Sequence, residues 1–199
     1  MVPLSKSGLA SGERGFESHP LRQTNCVSIR DASYRLKQGA EMSKKLKLSW
    51  QEKLADSKGL PKVVTINEKM SKRWGTGTCV IPAPKEVDEI MQKVPRGKLI
   101  TINDMRNILA KRHGTNICCP ITTGIFASIA ARAAEEAQAE GKKNITPYWR
   151  TLKLGGVINE KYPGGVEAQK VLLEQEGHRV IQKGKRYLVT DFEKCLASI

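Results

Sequence analysis

Apolar positions at helical spacing predict the first long helix of this chain. They follow the proline-containing segment 82–84 and recur at i, i+3, i+4 and i+7. These residues are Val87, Ile90, Met91 and Val94. Such a stripe is typical of an amphipathic helix whose apolar face packs inward. Pro95 and Gly97 are expected to end it.

Two more helices are predicted after the first. One is capped by Thr101 or Asn103 and closes near Gly114. The other runs from Thr122 towards Gly141. Two helices joined by a short turn are a candidate helix-turn-helix.

The last of these helices has small side chains along one face. They are Thr122, Thr123, Gly124, Ala127, Ser128 and Ala131, and Arg132 lies beside them. Small side chains allow a close approach, either by another helix or by the floor of a DNA groove. The sequence favours tight helix packing and leaves the DNA interpretation open.

Shorter elements are predicted on either side. They are a helix over 48–55, a strand over 62–66, a basic glycine-containing loop over 70–77, a helix over 165–176, and strands over 179–182 and 186–189. Lys183-Gly184-Lys185 joins the last two strands into a basic hairpin. A basic hairpin beside a helix-turn-helix is typical of a DNA-binding wing. The alternative is a solvent-exposed edge hairpin whose lysines prevent pairing with other strands.

The composition adds a charge bias to this picture. The 199 residues include 34 Lys and Arg against 20 Asp and Glu, a net charge of +14, which favours a polyanionic partner. Hydrophobic residues make up 39% of the chain, enough for a core, and no apolar run is long enough for a membrane span. We therefore expect a soluble protein without a membrane partner.

The cysteine and histidine patterns predict neither disulfides nor a metal site. Five cysteines are an odd number, and none forms a Cys-x-x-Cys pair. Free thiols in the reducing cytoplasm fit this usage best. The three histidines are scattered without ligand spacing, so no metal and no cofactor are expected.

Residues 1–41 have a different character from the rest. They show neither helical nor strand periodicity, and Gly15–Arg22 back-translates to a sequence that resembles the T-arm end of a transfer-RNA gene. We expect a disordered tail there, and the hypothesis is that it is spurious translation upstream of a true start at Met42. A natural flexible tail is the alternative. Residues 42–80 are then an N-terminal segment, and 81–199 the main domain.

Three segments, in order, resemble the DNA-binding domain of the alkylguanine-DNA alkyltransferases. Val94–Thr101 is similar to that family's Val-Pro-x-Gly-Lys-Val-x-Thr opening. Tyr162–Val166 and Leu172–Arg179 are similar to its Tyr-Ser-Gly-Gly-Leu and Leu-Leu-x-x-Glu-Gly-His-Arg closing segments. Pro147–Thr151 lies where the family has Pro-Cys-His-Arg-Val. The resemblance covers roughly residues 84–180.

This resemblance implies a fold and a mode of DNA binding. The expected fold class is α+β, mainly α: a winged helix-turn-helix with a small β-hairpin wing. The family grips DNA from the minor groove and flips the damaged guanine into a pocket. A cysteine thiolate, activated by a histidine and a glutamate, then takes the alkyl group.

Departures from the family pattern argue against alkyl transfer. Tyr148 occupies the acceptor-cysteine position and Trp149 the histidine position, and only Glu176 of the triad remains. A tyrosine, with an ordinary pKa of about 10, is a far poorer nucleophile than an activated thiol. The chain resembles the alkyltransferase-like members, which replace the cysteine by tryptophan and bind alkylated DNA without reaction. No catalytic residue is expected.

Two residues of the base-flipping apparatus also differ. The family tyrosine that rotates the nucleotide corresponds to Ile102, and the intercalating arginine falls at or near Gly124. Arg132 is two helical turns away from that arginine position. Lesion recognition is therefore less secure than duplex binding.

The expected site residues follow from the resemblance and from the basic side chains. A lesion pocket is expected from Pro147, Tyr148, Trp149, Arg150, Tyr162, Pro163 and Gly164. DNA contacts are expected from Lys98, Thr101, Thr122, Thr123, Gly124, Ala127, Ser128, Arg132, Lys183, Lys185 and Arg186. The sequence leaves open whether the aromatic pair at 148 and 149 stacks on an extruded base or fills the core.

The predicted function is that of a non-enzymatic, monomeric binder of double-stranded DNA that senses alkylated guanine for DNA repair proteins. One alternative is an active alkyltransferase with a displaced cysteine, for which Cys118 and Cys119 before the third helix are candidates. A second alternative is a protein-interaction module that has lost DNA binding.

Overall fold

Helices and short strands alternate along residues 48–199, the part of the chain that the computed structural model describes. The helices are α1 (Trp50–Ala55), α2 (Glu68–Trp74), α3 (Pro84–Gln92), α4 (Ile102–Arg112), α5 (Pro120–Ala139) and α6 (Gly165–Gln175). The strands are β1 (Lys62–Thr65), β2 (Thr78–Ile81), β3 (Ile100–Thr101), β4 (Ile117–Cys118), β5 (Thr151–Leu152), β6 (Val180–Lys183) and β7 (Arg186–Val189). The protein is mixed α+β. The predicted tail over 1–41 and the alternative start at Met42 lie outside the described residues.

Helices α3, α4 and α5 form the main core, as their apolar stripes predict. Val87, Ile90, Met105 and Leu109 are fully buried between them. The Thr101 side chain accepts a hydrogen bond from the Asp104 N–H at 3.2 Å and so caps α4. Helix α5 packs closely against its neighbours because the residues on its inner face are small. These fully buried residues are Thr123, Ala127, Ala130 and Ala131.

The first sheet joins the N-terminal part of the described chain to the helix pair. It has the strand order β1-β2-β4, with β1 antiparallel and β4 parallel to β2. The boundary predicted at residue 81 therefore falls at the end of β2, inside this sheet. Residues 48–199 belong to one compact unit.

One element prediction is wrong. The segment 70–77, predicted as a loop, begins inside α2. Asn67 caps this helix by accepting a hydrogen bond from the Met70 N–H at 3.0 Å, and Met70 and Trp74 pack from one face against the cluster around Ile66. The glycines that suggested a loop lie at the end of the helix, where Gly75 is the C-cap.

The C-terminal hairpin packs on a second core. β6 and β7 pair antiparallel from Val180 with Val189 to Lys183 with Arg186, close to the predicted strands. Beneath them lies a cluster of Leu99, Leu152, Ile158, Leu173 and Val189. The Ile158 N–H donates to the Tyr187 carbonyl at 2.9 Å, so the hairpin backs the loop that precedes α6. Its role as a wing stays a prediction.

Two neighbouring glycines provide a matched test of this packing. Gly155 and Gly156 both have a positive φ, of 73° and 72°. A Cβ on Gly156 would lie 2.4 Å from the Phe192 ring, whereas a Cβ on Gly155 meets nothing. Gly156→Ala is expected to be the more destabilising change by about 1–3 kcal/mol, because only it overpacks the core. Both variants carry backbone strain of about 1–2 kcal/mol. Urea unfolding measures the difference, and equal losses would contradict this packing.

Candidate nucleic-acid interface

A groove of about 820 Å³ runs along the exposed side of α5. Two rows of side chains at i, i+4, i+8 spacing form its first wall. They are Ile121, Ile125 and Ile129 in one row and Gly124, Ser128 and Arg132 in the other. Since side chains four residues apart stack along one face of a helix, each row follows the length of the groove. The first wall is therefore half aliphatic and half small or basic.

The second wall is the segment after β5. It consists of Lys153, Leu154, Asn159, Glu160 and Lys161. Lys153 donates a hydrogen bond to Glu160, and this bond holds the pKa of the Glu160 carboxyl below its usual value. The groove is thus lined by three basic side chains and one acidic side chain. The basic ones are Arg132, Lys153 and Lys161, and the acidic one is Glu160. Its net charge suits an anionic ligand.

The N-terminal helix α1 reaches the same groove through Trp50. Lys53 Nζ lies 3.8 Å from the centroid of the Trp50 ring, and Arg132 Cζ lies 4.8 Å from it. The Gln51 N–H donates to Glu136 Oε2 at 2.9 Å, which fastens α1 to α5. The N-terminal segment predicted over 42–80 thus contributes Trp50 to the lining of the groove.

Three of the residues predicted to contact DNA border the groove, and their contact with DNA stays a prediction. Gly124, Ser128 and Arg132 line the groove, and Ile102 does so as well. Thr122 is half-buried. The remaining basic residues are exposed, namely Lys98 near the start of β3 and Lys183, Lys185 and Arg186 on the hairpin.

Three predicted DNA contacts are wrong. Thr101 is only 5% exposed, and Thr123 and Ala127 are fully buried. The Thr101 hydroxyl is used to cap α4, and Thr123 Oγ1 donates to the Cys119 carbonyl at 2.8 Å. The small face of α5 is divided: one side packs in the core, and only the other side borders the groove.

The seven predicted lesion-pocket residues do not line this groove. Tyr148 is 5% exposed and packs edge-on against Trp149 and Tyr162, with ring centroids 5.5 and 5.6 Å away. Burial raises the pKa of the Tyr148 phenol. This geometry favours core filling over base stacking at Tyr148. Pro147 and Pro163 are buried too, whereas Gly164 is exposed.

Trp149 and Arg150 belong to a different cluster, built on Glu176. Glu176 Oε1 accepts hydrogen bonds from Trp149 Nε1 and Arg150 Nη2, both at 2.8 Å. Its Oε2 accepts from the Gly97 N–H at 3.0 Å, and Arg150 Nη1 donates to the Val94 carbonyl at 2.6 Å. Burial alone would raise the pKa of Glu176, but these donors outweigh it, and the pKa lies below its usual value.

The cysteines of the described region do not offer a displaced alkyl acceptor at the groove. Cys79, Cys118 and Cys119 are buried, and Cys195 is half-buried. Burial raises the pKa of Cys118 to about 11. A thiol of this kind is protonated near neutral pH and is not a nucleophile. None of the four lines the groove.

Sequence reasoning missed much of the groove. Trp50, Ile121, Ile125 and Leu154 were not singled out as site residues. For Ile121 and Ile125 a signal exists, because two isoleucines at i, i+4 lie off the small face that α5 packs inward. For Leu154 and Trp50 the sequence gives no such signal, because tertiary packing brings them to the groove.

The described residues show neither a cluster of metal ligands nor a helix that could span a membrane. Between residues 48 and 199, no three His, Cys, Asp or Glu side chains come together as metal ligands. No helix in that range combines the length and the apolar character needed to cross a bilayer.

Comparison with solved structures gives distant similarities. No protein-family model matches this chain, and no curated protein matches it either. One similar structure is S. pombe Atl1 in complex with damaged DNA containing O6-carboxymethylguanine, with 17% identity and a TM-score of 0.41. Another is S. pombe ATL in complex with DNA, with 17% identity and a TM-score of 0.43. Each covers 58% of this chain and 94% of the other. At these values neither similarity supports an inference about this chain.

The buried ion pair predicts how stability depends on pH. Because the pKa of Glu176 is lower in the folded protein than in the unfolded chain, its contribution is complete above the unfolded pKa and is lost as pH falls through the folded one. Glu176→Gln is expected to cost about 1–3 kcal/mol at pH 7, because Arg150 loses its charged partner. This deficit should shrink as the pH falls below about 4.3, the ordinary pKa of a glutamate, and on through the lower folded-state pKa. Glu174→Gln, on the exposed side of α6, is the control, and a deficit independent of pH would contradict the assignment.

Thiol reactivity tests whether a displaced acceptor exists. Among the four described cysteines, Cys195 is expected to react first with iodoacetamide at pH 8. Cys79, Cys118 and Cys119 should react only after unfolding, because they are buried. Peptide mapping by mass spectrometry identifies the alkylated positions. Rapid labelling of Cys118 in the folded protein would reopen the displaced-cysteine alternative.

Proposed function

We propose that this protein binds double-stranded DNA along the groove beside α5 and senses alkylated guanine without transferring the alkyl group. The groove itself carries the proposal. It is lined by Arg132, Lys153 and Lys161, and its volume of about 820 Å³ lies within the range of about 300–1,000 Å³ that is typical of ligand sites. A single extruded base fits within such a volume.

The motif resemblance supports the choice of DNA as the ligand. Helices α4 and α5 are the predicted helix-turn-helix, and α5 presents the groove. The net charge of +14 supports a polyanionic partner. Lys183, Lys185 and Arg186 are exposed on the hairpin and would meet phosphates if the hairpin acts as a wing.

The absence of alkyl transfer follows from the chemistry of the acceptor position. Tyr148 is buried among aromatic rings, and burial raises the pKa of its phenol, so it is not available as a nucleophile. Since no described cysteine lines the groove, a bound alkylguanine would meet no thiolate there. The protein would then act by marking a lesion for DNA repair proteins, as a cytoplasmic monomer without a cofactor.

Competition binding at moderate salt tests the proposal. The affinities for two duplexes that differ by one O6-methylguanine are compared. The protein used is a variant whose chain starts at Met42. A preference of about tenfold for the alkylated duplex, or 1.4 kcal/mol, is expected. Equal binding would reduce the protein to a general DNA binder, and no binding to either duplex would exclude the DNA function.

The salt dependence of binding assigns the interface. Lys161→Ala should weaken binding to all duplexes and reduce the slope of log K against log salt by about 0.9, because one phosphate contact is lost. Lys72→Ala, an exposed lysine on α2 outside the groove, is the matched control and should change neither quantity. If both variants behave alike, the groove is not the DNA interface.

A further inference from the structure

Helix α1 places an aromatic ring with two cations on it beside the groove. Lys53 Nζ lies 3.8 Å from the centroid of the Trp50 ring, and Arg132 Cζ, on α5, lies 4.8 Å from it. Trp50 and Arg132 both line the groove. Neither cation forms an ion pair with a side chain of residues 48–199. Both positive charges are therefore available to an anion.

The pairing of these cations indicates the charge of the missing partner. Two like charges at one ring repel each other, and this repulsion raises the electrostatic energy of the folded protein. The negative face of the indole ring compensates for part of that energy. An anionic ligand would compensate for more of it, because it attracts both cations at once.

We propose that Trp50, Lys53 and Arg132 form a site for the phosphate backbone of bound DNA, in which Trp50 is a positioning residue. Lys53 and Arg132 would each meet a backbone phosphate, and the indole ring would hold the two cations beside the groove. This inference rests on the proposed function. It adds helix α1 to the interface, and α1 lies outside residues 84–180, which the motif resemblance covers.

The chemistry of arginine suits contact with a ring and a phosphate at the same time. A guanidinium is planar and carries its N–H donors at the edge, so contact through its face leaves them available. Arg132 is exposed, whereas its neighbours Ala131 and Ala133 are buried. Its backbone is thus fixed while its side chain is not. Contact with Trp50 restricts that side chain in advance, which lowers the entropy lost on binding.

Helix α1 is fastened firmly enough to support this ring. A helix of six residues is not stable alone and depends on caps and packing. The Glu52 N–H donates to Ser49 Oγ at 3.0 Å, which caps the helix. The Gln51 N–H donates to Glu136 Oε2 at 2.9 Å, and Lys142 Nζ donates to Gln51 Oε1 at 2.8 Å. These bonds fix α1, and with it the indole ring, relative to α5.

Variants of Trp50 test its positioning role. The affinity of the full chain for an undamaged duplex is measured by fluorescence anisotropy over a range of salt concentrations. Trp50→Leu keeps apolar bulk but removes the aromatic face, and it is expected to weaken binding about two- to fivefold. Trp50→Tyr retains an aromatic face and should recover most of the affinity.

The same substitution in a second background separates positioning from a structural role. In a chain that carries both Lys53→Ala and Arg132→Ala, the cations that the ring would position are gone. Trp50→Leu should then cause no additional loss of affinity. If the ring acted only by supporting the fold, the loss would be the same in both backgrounds.

The phosphate contact itself is read from the salt dependence. Lys53→Ala should reduce the slope of log K against log salt by about 0.9, because one phosphate contact is lost. Lys58→Ala is the matched control. Lys58 is an exposed lysine that follows α1 and lies outside the groove, and its replacement should change neither affinity nor slope. Thermal unfolding of each variant confirms that the protein is folded.

The outcomes distinguish this site from the proposed function. Duplex binding that is unchanged by Trp50→Leu would overturn the site and leave DNA binding intact. An equal loss from Trp50→Leu in both backgrounds would also overturn it, as would a salt slope that Lys53→Ala and Lys58→Ala leave alike. If the wild-type protein binds no duplex, both proposals fail.

Discussion

The buried ion pair between Arg150 and Glu176 is the interaction on which the site depends. It joins three separate parts of the chain: the turn at 148–150, the end of α6 and the segment after α3, through Val94 and Gly97. An ion pair that is largely shielded from solvent contributes little net free energy, but removing either partner leaves an uncompensated charge. The main effect of the ion pair is therefore to fix the positions of these three segments relative to one another. It fixes the point at which the chain enters β5. Because the groove wall over 153–161 follows β5 directly, its position is fixed as well.

The aromatic rings of Tyr148 and Trp149 connect this ion pair to the core. The Tyr148 ring fills core space next to Tyr162, and the neighbouring Trp149 donates its indole N–H to Glu176. The contacts of Glu176 thus stabilise the fold. Trp149, Arg150 and Glu176 are therefore engaged in holding the fold together, and none of them lines the groove beside α5.

The sequence predicted the helices well and the groove only in part. Val87, Met105 and Leu109 lie in the core because their spacing matches a helix repeat, which is local information. The loop predicted over 70–77 failed because a cap at Asn67 outweighed the later glycines. The opposite wall of the groove, with Leu154 and Lys161, had no local signal. It depends on where β5 and the ion pair place a loop, and such tertiary information is not read from residue spacing.

The face of α5 shows how one helix serves two purposes. Residues 123, 127, 130 and 131 pack inward with no exposure, and the rows 121–125–129 and 124–128–132 border the groove. A helix of 20 residues can both pack in the core and border the groove. With 3.6 residues per turn, the inward row and the groove-facing rows point in different directions around the helix axis. The small residues that suggested contact with DNA are needed mainly for packing, since they let α5 approach α1 and α3. Close packing then keeps α5 from shifting, and a helix that does not shift can present both charge and apolar surface at a constant spacing.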